Sequence, residues 1–226
     1  MNVQEKLIHH FAAFITDRKK TMMEKVLSDR TKYVTVVLEN IYQSQNASAV
    51  LRTCECLGIQ DIHIVENTAK YELNVRVLKG ADKWLTLHRY RTKNVNNTKT
   101  CFERLRAEGY RIFVADPEEG GLPIGDVDVA SGPVALVFGN ELRGASAYAI
   151  ENSDARVRIP MVGFTESLNI SVSVAICLNT VFSSMANHHI AKGLSELEKT
   201  ELRLDWYRKT VKRSQIIEKE FLRTIQ

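Results

Sequence analysis

Three short clusters in this 226-residue sequence carry side chains able to grip an anion or position a nucleophile. The first, Asn46-Ala47-Ser48-Ala49-Val50-Leu51-Arg52-Thr53, sets an amide six residues before a guanidinium. The second, Gly139-Asn140-Glu141-Leu142-Arg143-Gly144, brackets a carboxylate between glycines. The third runs Ile159-Pro160-Met161-Val162-Gly163 and continues through Glu166-Ser167-Leu168-Asn169. Glycine lets backbone groups approach a ligand with no side chain intervening, and a guanidinium suits phosphate. Other chemistries lack their signatures. The sequence has neither the dinucleotide fingerprint GxGxxG nor a P-loop, and no CxxC, HExxH or GxSxG. Cys54, Cys56, Cys101 and Cys177 have no metal-ligand spacing, so buried, reduced thiols and no metal are expected.

Taken singly, each cluster also has a purely structural explanation. Asn46 reads as a helix N-cap and Arg52 as a surface residue of that helix. Gly139 and Gly144 would permit tight turns, and Ser167 and Asn169 would cap the helix that follows. Their significance comes from where the elements put them.

Residues 4–27 read as helical, with Leu7, Phe11, Phe14 and Ile15 sharing a face. Tyr33 to Leu38 is a β-branched run suited to a strand buried on both sides. A helix follows from Asn46 to about Leu57, stopped by Gly58. Further strands are expected at Ile62–Val65, Trp84–Leu87, Tyr110–Ala115, Pro133–Phe138 and Ala155–Ile159. Helices are expected at Leu73–Leu78 before Gly80, at Thr98–Glu108 before Gly109, and from about Ser146. Pro117 through Gly125 reads as a loop. Residues 168–186 form a helix apolar nearly all round, and a last helix after Gly193 carries Leu204, Tyr207 and Val211. Strands alternating with helices imply an α/β fold, a mainly parallel sheet covered by helices. The expected division is an N-terminal helical extension 1–33, a central domain 34–189 and a C-terminal helical extension 190–226. In such sheets ligands bind outside the carboxyl ends of the strands, and each cluster follows a strand.

Charge is segregated. Residues 1–33 carry seven basic and four acidic side chains, residues 190–226 nine and six, and the middle is net −2. Within the middle, Arg76 to Arg106 holds nine Lys or Arg against Asp82 and Glu103. Such asymmetry attracts a polyphosphate partner, although solvated helix faces explain many charge runs. The longest apolar run, Ile170 to Phe182, is interrupted by Ser171, Ser173 and Asn179, so no membrane span is expected. The N-terminus lacks a signal-peptide core, which makes the cytoplasm the expected compartment.

In order and spacing, the clusters resemble the motifs of the SPOUT superfamily of methyltransferases, and within it the TrmH group of RNA ribose 2′-O-methyltransferases. The matching patterns are NxxxxxR over Asn46–Arg52, FGxE from Phe138 to Glu141 followed by Gly144, and IPMxG with SLNxS from Ile159 to Ser171. The likeness extends from Val34 to Phe182, and Leu204 to Lys209 with Arg213 resembles the C-terminal helix of tRNA-acting members. Ser173 and Cys54 depart from it, standing where alanine is usual. The resemblance implies a C-terminal trefoil knot, a homodimer with its active site built across the two copies, and S-adenosyl-L-methionine as cofactor. It implies that Phe138, Gly139, Asn140, Gly144, Ile159, Met161, Leu168 and Asn169 shape the cofactor pocket. By the same resemblance Arg52, Asn46, Glu141, Ser167 and Asn169 are the catalytic set, with Arg52 at the ribose oxygen and Glu141 organising its loop. RNA contacts would come from Arg52, Arg208, Lys209, Lys212 and Arg213, and from the basic stretch 76–106. The implied substrate is tRNA, at the D-loop guanosine, position 18. Ribosomal RNA, the tRNA wobble nucleotide, or a knotted RNA-binding protein without catalysis are the alternatives.

Overall fold

The computed structural model describes residues 2–72 and 74–225. The chain folds as two compact units, one from Lys32 to Ala191 and one formed by the residues up to Thr31 together with those from Lys192 onward. Sequence reading treats the two ends as separate extensions, whereas here they are one unit, because apolar faces far apart in the chain bury each other.

The larger unit is built on a seven-stranded parallel sheet of order β3-β2-β1-β6-β4-β7-β5. Its strands are β1 (Val34–Glu39), β2 (Asp61–Val65), β3 (Thr86–Tyr90), β4 (Arg111–Ala115), β5 (Leu122–Pro123), β6 (Val134–Phe138) and β7 (Ala155–Arg158). Every residue of β1, β2 and β6 is buried, as expected of strands covered on both faces, and the polar Thr35, Glu39, Asp61 and His63 among them all find hydrogen-bond partners. Successive side chains alternate between those faces. Val36 and Leu136, paired in register, join the apolar layer that also holds Val50, Leu51, Val174 and Leu178. Their neighbours Val37 and Val137 face the opposite layer, with Phe102, Leu105 and Ala149.

The helices of this unit are α3 (Ser44–Cys56), α4 (Val75–Leu78), α5 (Asn97–Ala107), α6 (Ala147–Glu151) and α7 (Ile170–Asn187). Several expected boundaries move. The third strand is Thr86–Tyr90, later than Trp84–Leu87, because Ala81–Lys83 forms a 3-10 turn whose end holds Trp84. The segment Pro117–Gly125 is not all loop, since Leu122–Pro123 pairs with β7 as a short edge strand. The short helix expected at Leu73–Leu78 spans Val75–Leu78, and Leu73 lies outside the described residues. Cys56 is exposed, unlike Cys54, Cys101 and Cys177.

Helix α7 is, by length and composition, apolar enough to cross a membrane, which the interrupting Ser171, Ser173 and Asn179 were expected to prevent. Single hydroxyls and one amide are outweighed by the apolar residues around them. Here Val174, Cys177, Leu178, Val181 and Met185 lie in the core, while Val172 and Ile176 on the other side are exposed.

The smaller unit comprises α1 (Val3–Ala12), α2 (Asp17–Ser28), α8 (Glu196–Thr210) and α9 (Ser214–Thr224). The single helix expected over 4–27 breaks between Ala12 and Asp17, and Phe14 in that break is exposed rather than sharing the face of Leu7 and Phe11. The single helix expected after Gly193 likewise divides, at Arg213, whose φ of 57° is left-handed. Trp206, Tyr207, Phe11 and Leu27 form the buried interior, with the Arg30 guanidinium 5.4 Å from the Trp206 ring centroid.

Candidate active site

The first cluster enters the structure differently from its expected role. Helix α3 starts at Ser44 with Gln43 at the cap, so Asn46 is inside the first turn and 8% exposed. Its side chain is therefore free to bind elsewhere. Asn46 Nδ2 donates to Gln43 Oε1 at 3.1 Å and to Glu141 Oε1 at 3.0 Å. Asn46 Oδ1 accepts from Asn169 Nδ2 at 3.1 Å. One asparagine thus ties together all three clusters, reaching 95 residues along the chain to Glu141 and 123 to Asn169. Asn169 in turn caps α7, its Oδ1 accepting from the Ser171 amide at 2.9 Å and hydroxyl at 2.6 Å.

Glu141 closes the arrangement. Its carboxylate also accepts from the amides of Tyr42 at 3.0 Å and Gln43 at 3.2 Å. Partial burial raises its pKa, but the bonds from Asn46, Tyr42 and Gln43 outweigh this and hold it below the ordinary carboxylate value. Its three bonds join the first turn of α3 and the segment before it to the second cluster.

The loop that carries it is closed on itself. Asn140 and Gly144 exchange backbone hydrogen bonds of 2.9 Å in both directions, and Asn140 Oδ1 accepts from the amides of Leu142 and Arg143. Gly144 has φ 69°, and a Cβ on Gly139 would lie 2.2 Å from the Ala145 nitrogen. Glycine is thus required at Gly139 by the close approach of the backbone and favoured at Gly144 by its left-handed φ. At the far end of the loop, Ser146 caps α6 and donates to buried Glu39, by its amide at 2.8 Å and its hydroxyl at 2.7 Å.

Between these loops lies a cavity of about 470 Å³, lined by Asn46, Phe138, Gly139, Asn140, Glu141, Gly144, Ile159, Met161, Ser167, Leu168 and Asn169. Its size falls within the ordinary range for a small-molecule site of roughly 300–1,000 Å³. Apolar walls from Phe138, Ile159, Met161 and Leu168 face amides and a hydroxyl, a donor set that fits a nucleoside carrying a polar tail. Ser167, expected as a cap, makes no hydrogen bond among the described residues and leaves its hydroxyl to the cavity. The Cys177 thiol in the wall is pushed up to about 12 by burial and stays neutral.

Arg52 does not join this set. It is exposed, it does not line the cavity, and it has no ion-pair partner among the described residues. Six residues beyond Asn46 in a helix is a rotation of about 240°, and with Asn46 turned to the cavity Arg52 stands on a different face of α3. Arg52 instead shares a face with Ser48, whose hydroxyl accepts the Asn74 amide at 2.8 Å, beside α4. In the smaller unit, Arg208 is held by Glu218 at 2.5 Å and Lys209 by Asp205 at 2.6 Å, while Lys212 and Arg213 have no carboxylate partner among the described residues.

Residues 33–179, most of the larger unit, match the SpoU rRNA methylase family. The chain belongs to that family. It is 42% identical over 213 residues to a tRNA (guanosine(18)-2'-O)-methyltransferase of Borreliella burgdorferi, covering 94% of this chain and 95% of the relative. A Thermus thermophilus protein of the same name is 31% identical, over 72% of this chain and 81% of its own. Among solved structures, a TrmH/SpoU tRNA modifying enzyme of Aquifex aeolicus superposes with a TM-score of 0.76 at 26% identity, covering 86% of this chain and 98% of that one.

In this member of the SpoU family, sequence reading missed one wall of the cavity, formed by Ala115, Asp116 and Pro117. These residues follow β4, and the strand order inserts β4 between β6 and β7. Nothing in their own residue types marks them, since only the neighbours of β4 in the sheet give its exit a role.

Proposed function

We propose that the chain transfers a methyl group from S-adenosyl-L-methionine to a ribose 2′-hydroxyl of tRNA, at the D-loop guanosine 18 that its relatives' name specifies. The observation carrying this reading is the hydrogen-bonded set Glu141–Asn46–Asn169 at the mouth of a nucleoside-sized cavity. Phe138, Ile159, Met161 and Leu168 would hold the cofactor's apolar parts, and Asn140, Ser167 and Asn169 its polar groups. The cofactor supplies a methyl carbon already activated by its sulfonium. The chain must add alignment and a destination for the hydroxyl proton.

Arg52 is assigned to the RNA. A guanidinium keeps its proton, with a pKa above about 12, so it grips the phosphate beside the reacting ribose and polarises the hydroxyl, and the proton leaves to water or phosphate. Because Arg52 lies outside the cavity of its own chain, the site is completed by a second copy. Support for a homodimer comes from the apolar side chains left exposed from Val162 to Ile176, with Phe164, Leu168 and Val172 among them. The trefoil knot belongs to the same reading, supported by the likeness in fold to the Aquifex aeolicus enzyme, and a tRNA substrate is consistent with the cytoplasm as its compartment. Lys212 and Arg213 are the terminal cations assigned to RNA, since Arg208 and Lys209 already have partners.

The test is incubation of the purified protein with labelled cofactor and total tRNA, followed by mapping of the modified nucleotide. Label at guanosine 18 is expected. Label at the wobble nucleotide, label only in ribosomal RNA, or none in any RNA would each replace this reading with a different one.

A further inference from the structure

The basic stretch from Arg76 to Arg106 divides into cations that are occupied and cations that are not. Arg89 forms three hydrogen bonds of 2.8–3.1 Å to Glu66. Lys99 is paired with Glu103, Arg104 with Glu108 and Arg106 with Asp154. The Lys83 ammonium lies 5.1 Å from the Trp84 ring centroid. Arg91 and Lys93, between these, are exposed and have no carboxylate partner among the described residues.

Both belong to the segment that leaves the carboxyl end of β3, and both line an open hollow of about 550 Å³ bounded by Glu66, Asn67 and residues 91–97. Its floor is built with care. Asn97 is 3% exposed, and its Oδ1 accepts the Thr92 amide at 2.9 Å while its Nδ2 donates to the Thr92 carbonyl at 3.1 Å. The Asn97 amide donates to Asn67 Oδ1 at 2.8 Å. A buried asparagine therefore fixes the loop at both ends and leaves its cations pointing away from any protein partner. Asn94 is left-handed, with φ 60°, and the amides of Lys93 and Asn94 have no acceptor among the described residues. Glu66, the one acid in the wall, is consumed by Arg89 and by the Tyr71 amide at 2.8 Å. The hollow opens on the same edge of the sheet as the candidate active site, three strands from the exit of β6, or roughly 14 Å at the usual strand spacing.

We propose that this hollow binds a phosphate of the RNA chain, held by the Arg91 and Lys93 side chains and the exposed Lys93 and Asn94 amides. The inference rests on the reading of the protein as a tRNA methyltransferase and adds to it a second anchoring point on the substrate. Fixed donors lose little freedom on binding, and a phosphate held a short way along the chain sets the register in which a ribose reaches the methyl donor.

The experiment compares three full-length proteins, the wild type, R91Q/K93Q and the control K99Q/R106Q, in which two already paired cations of the same stretch are removed. Affinity for unmodified tRNA is measured over a range of salt, with methylation kinetics on the same tRNA and cofactor affinity by calorimetry. For R91Q/K93Q the log–log dependence of affinity on salt should flatten by about one. KM for tRNA should rise about tenfold, while kcat at saturating tRNA and cofactor affinity stay unchanged. The control should keep the wild-type slope. A wild-type slope and KM in R91Q/K93Q would overturn the proposal, as would equal flattening in the control, which would reduce the effect to net charge. If the wild type methylates no tRNA at all, the underlying function fails and this inference with it, whereas an active wild type beside an unaffected R91Q/K93Q removes the hollow alone.

Discussion

Two hollows open along one edge of the same parallel sheet, and they are built from opposite materials. The cavity at the exits of β6, β4 and β7 is walled by Phe138, Ile159, Met161 and Leu168, with its amides engaged to one another. The hollow at the exits of β2 and β3 has a rigid asparagine floor and free cations at its rim. A parallel sheet supplies both with the same backbone geometry, because every strand ends on the same side. What each receives is decided by the side chains of the connecting loops. An apolar wall removes a nucleoside from water, while a basic rim left in water gathers phosphate without holding any base.

If that division is correct, changes on the two sides should separate in their effects. The largest is expected at Arg52, assigned to the RNA although its motif is shared with the cavity. Arg52→Ala should lower single-turnover methylation by at least about a hundredfold while calorimetry finds cofactor affinity within about twofold. Equal loss of both would place Arg52 in the cofactor cavity after all. Next is Gly139→Ala, whose new Cβ would sit 2.2 Å from the Ala145 nitrogen and must displace the loop. Overpacking of this kind costs about 1–3 kcal/mol. Cofactor Kd should rise about tenfold or more, with tRNA affinity unchanged in a binding assay.

A smaller effect concerns the tie between clusters. Asn46→Ala and Asn169→Ala each remove the same bond, so a double-mutant cycle on cofactor affinity should return a coupling of about 1 kcal/mol. Strict additivity would mean the bond contributes nothing to the site. A last effect, read in stability and leaving the cavity untouched, tests the support beneath the basic hollow. His63 on β2 is 1% exposed, stacks on His88 at 4.7 Å and meets the Tyr90 hydroxyl at 2.9 Å. Burial, with the charge of His88 next in importance, pushes its pKa down from 6.5 to about 3. As pH falls below 6.5 the unfolded chain takes up a proton that the folded chain refuses. The stability contributed by neutral His63 is therefore complete above pH 6.5 and is lost progressively down to pH 3, by up to about 1.4 kcal/mol per pH unit. In urea unfolding between pH 6.5 and 4.5, His63→Phe should show a flatter dependence on pH than the wild type.

The chemistry-bearing residues of the cavity were legible because their types are costly to place without purpose. Glycine at Gly139 and Gly144, and polar groups at Asn46, Glu141 and Asn169, stand directly after apolar strands. Their roles were less legible. Asn46 looked like a cap because it precedes an apolar helical pattern, yet α3 begins two residues earlier and frees its amide to bind Glu141 and Asn169. Asp116 was overlooked, since its place in the wall follows from the position of β4 between β6 and β7. The basic stretch was visible as a charge count, but a count cannot distinguish Arg89, spent on Glu66, from Arg91, which has no carboxylate partner among the described residues.

The sequence alone determined the α/β class, the buried central strands and the identity of the three clusters, because those depend on local periodicity and on residue types that water or backbone geometry constrains. Tertiary structure decided which clusters meet, which cations remain available and on which side Arg52 points. Such matters depend on strand order and on the rotation of a helix about its own axis. Neither is written in the spacing of any one segment, for each arises when surfaces distant in the chain compete to leave water.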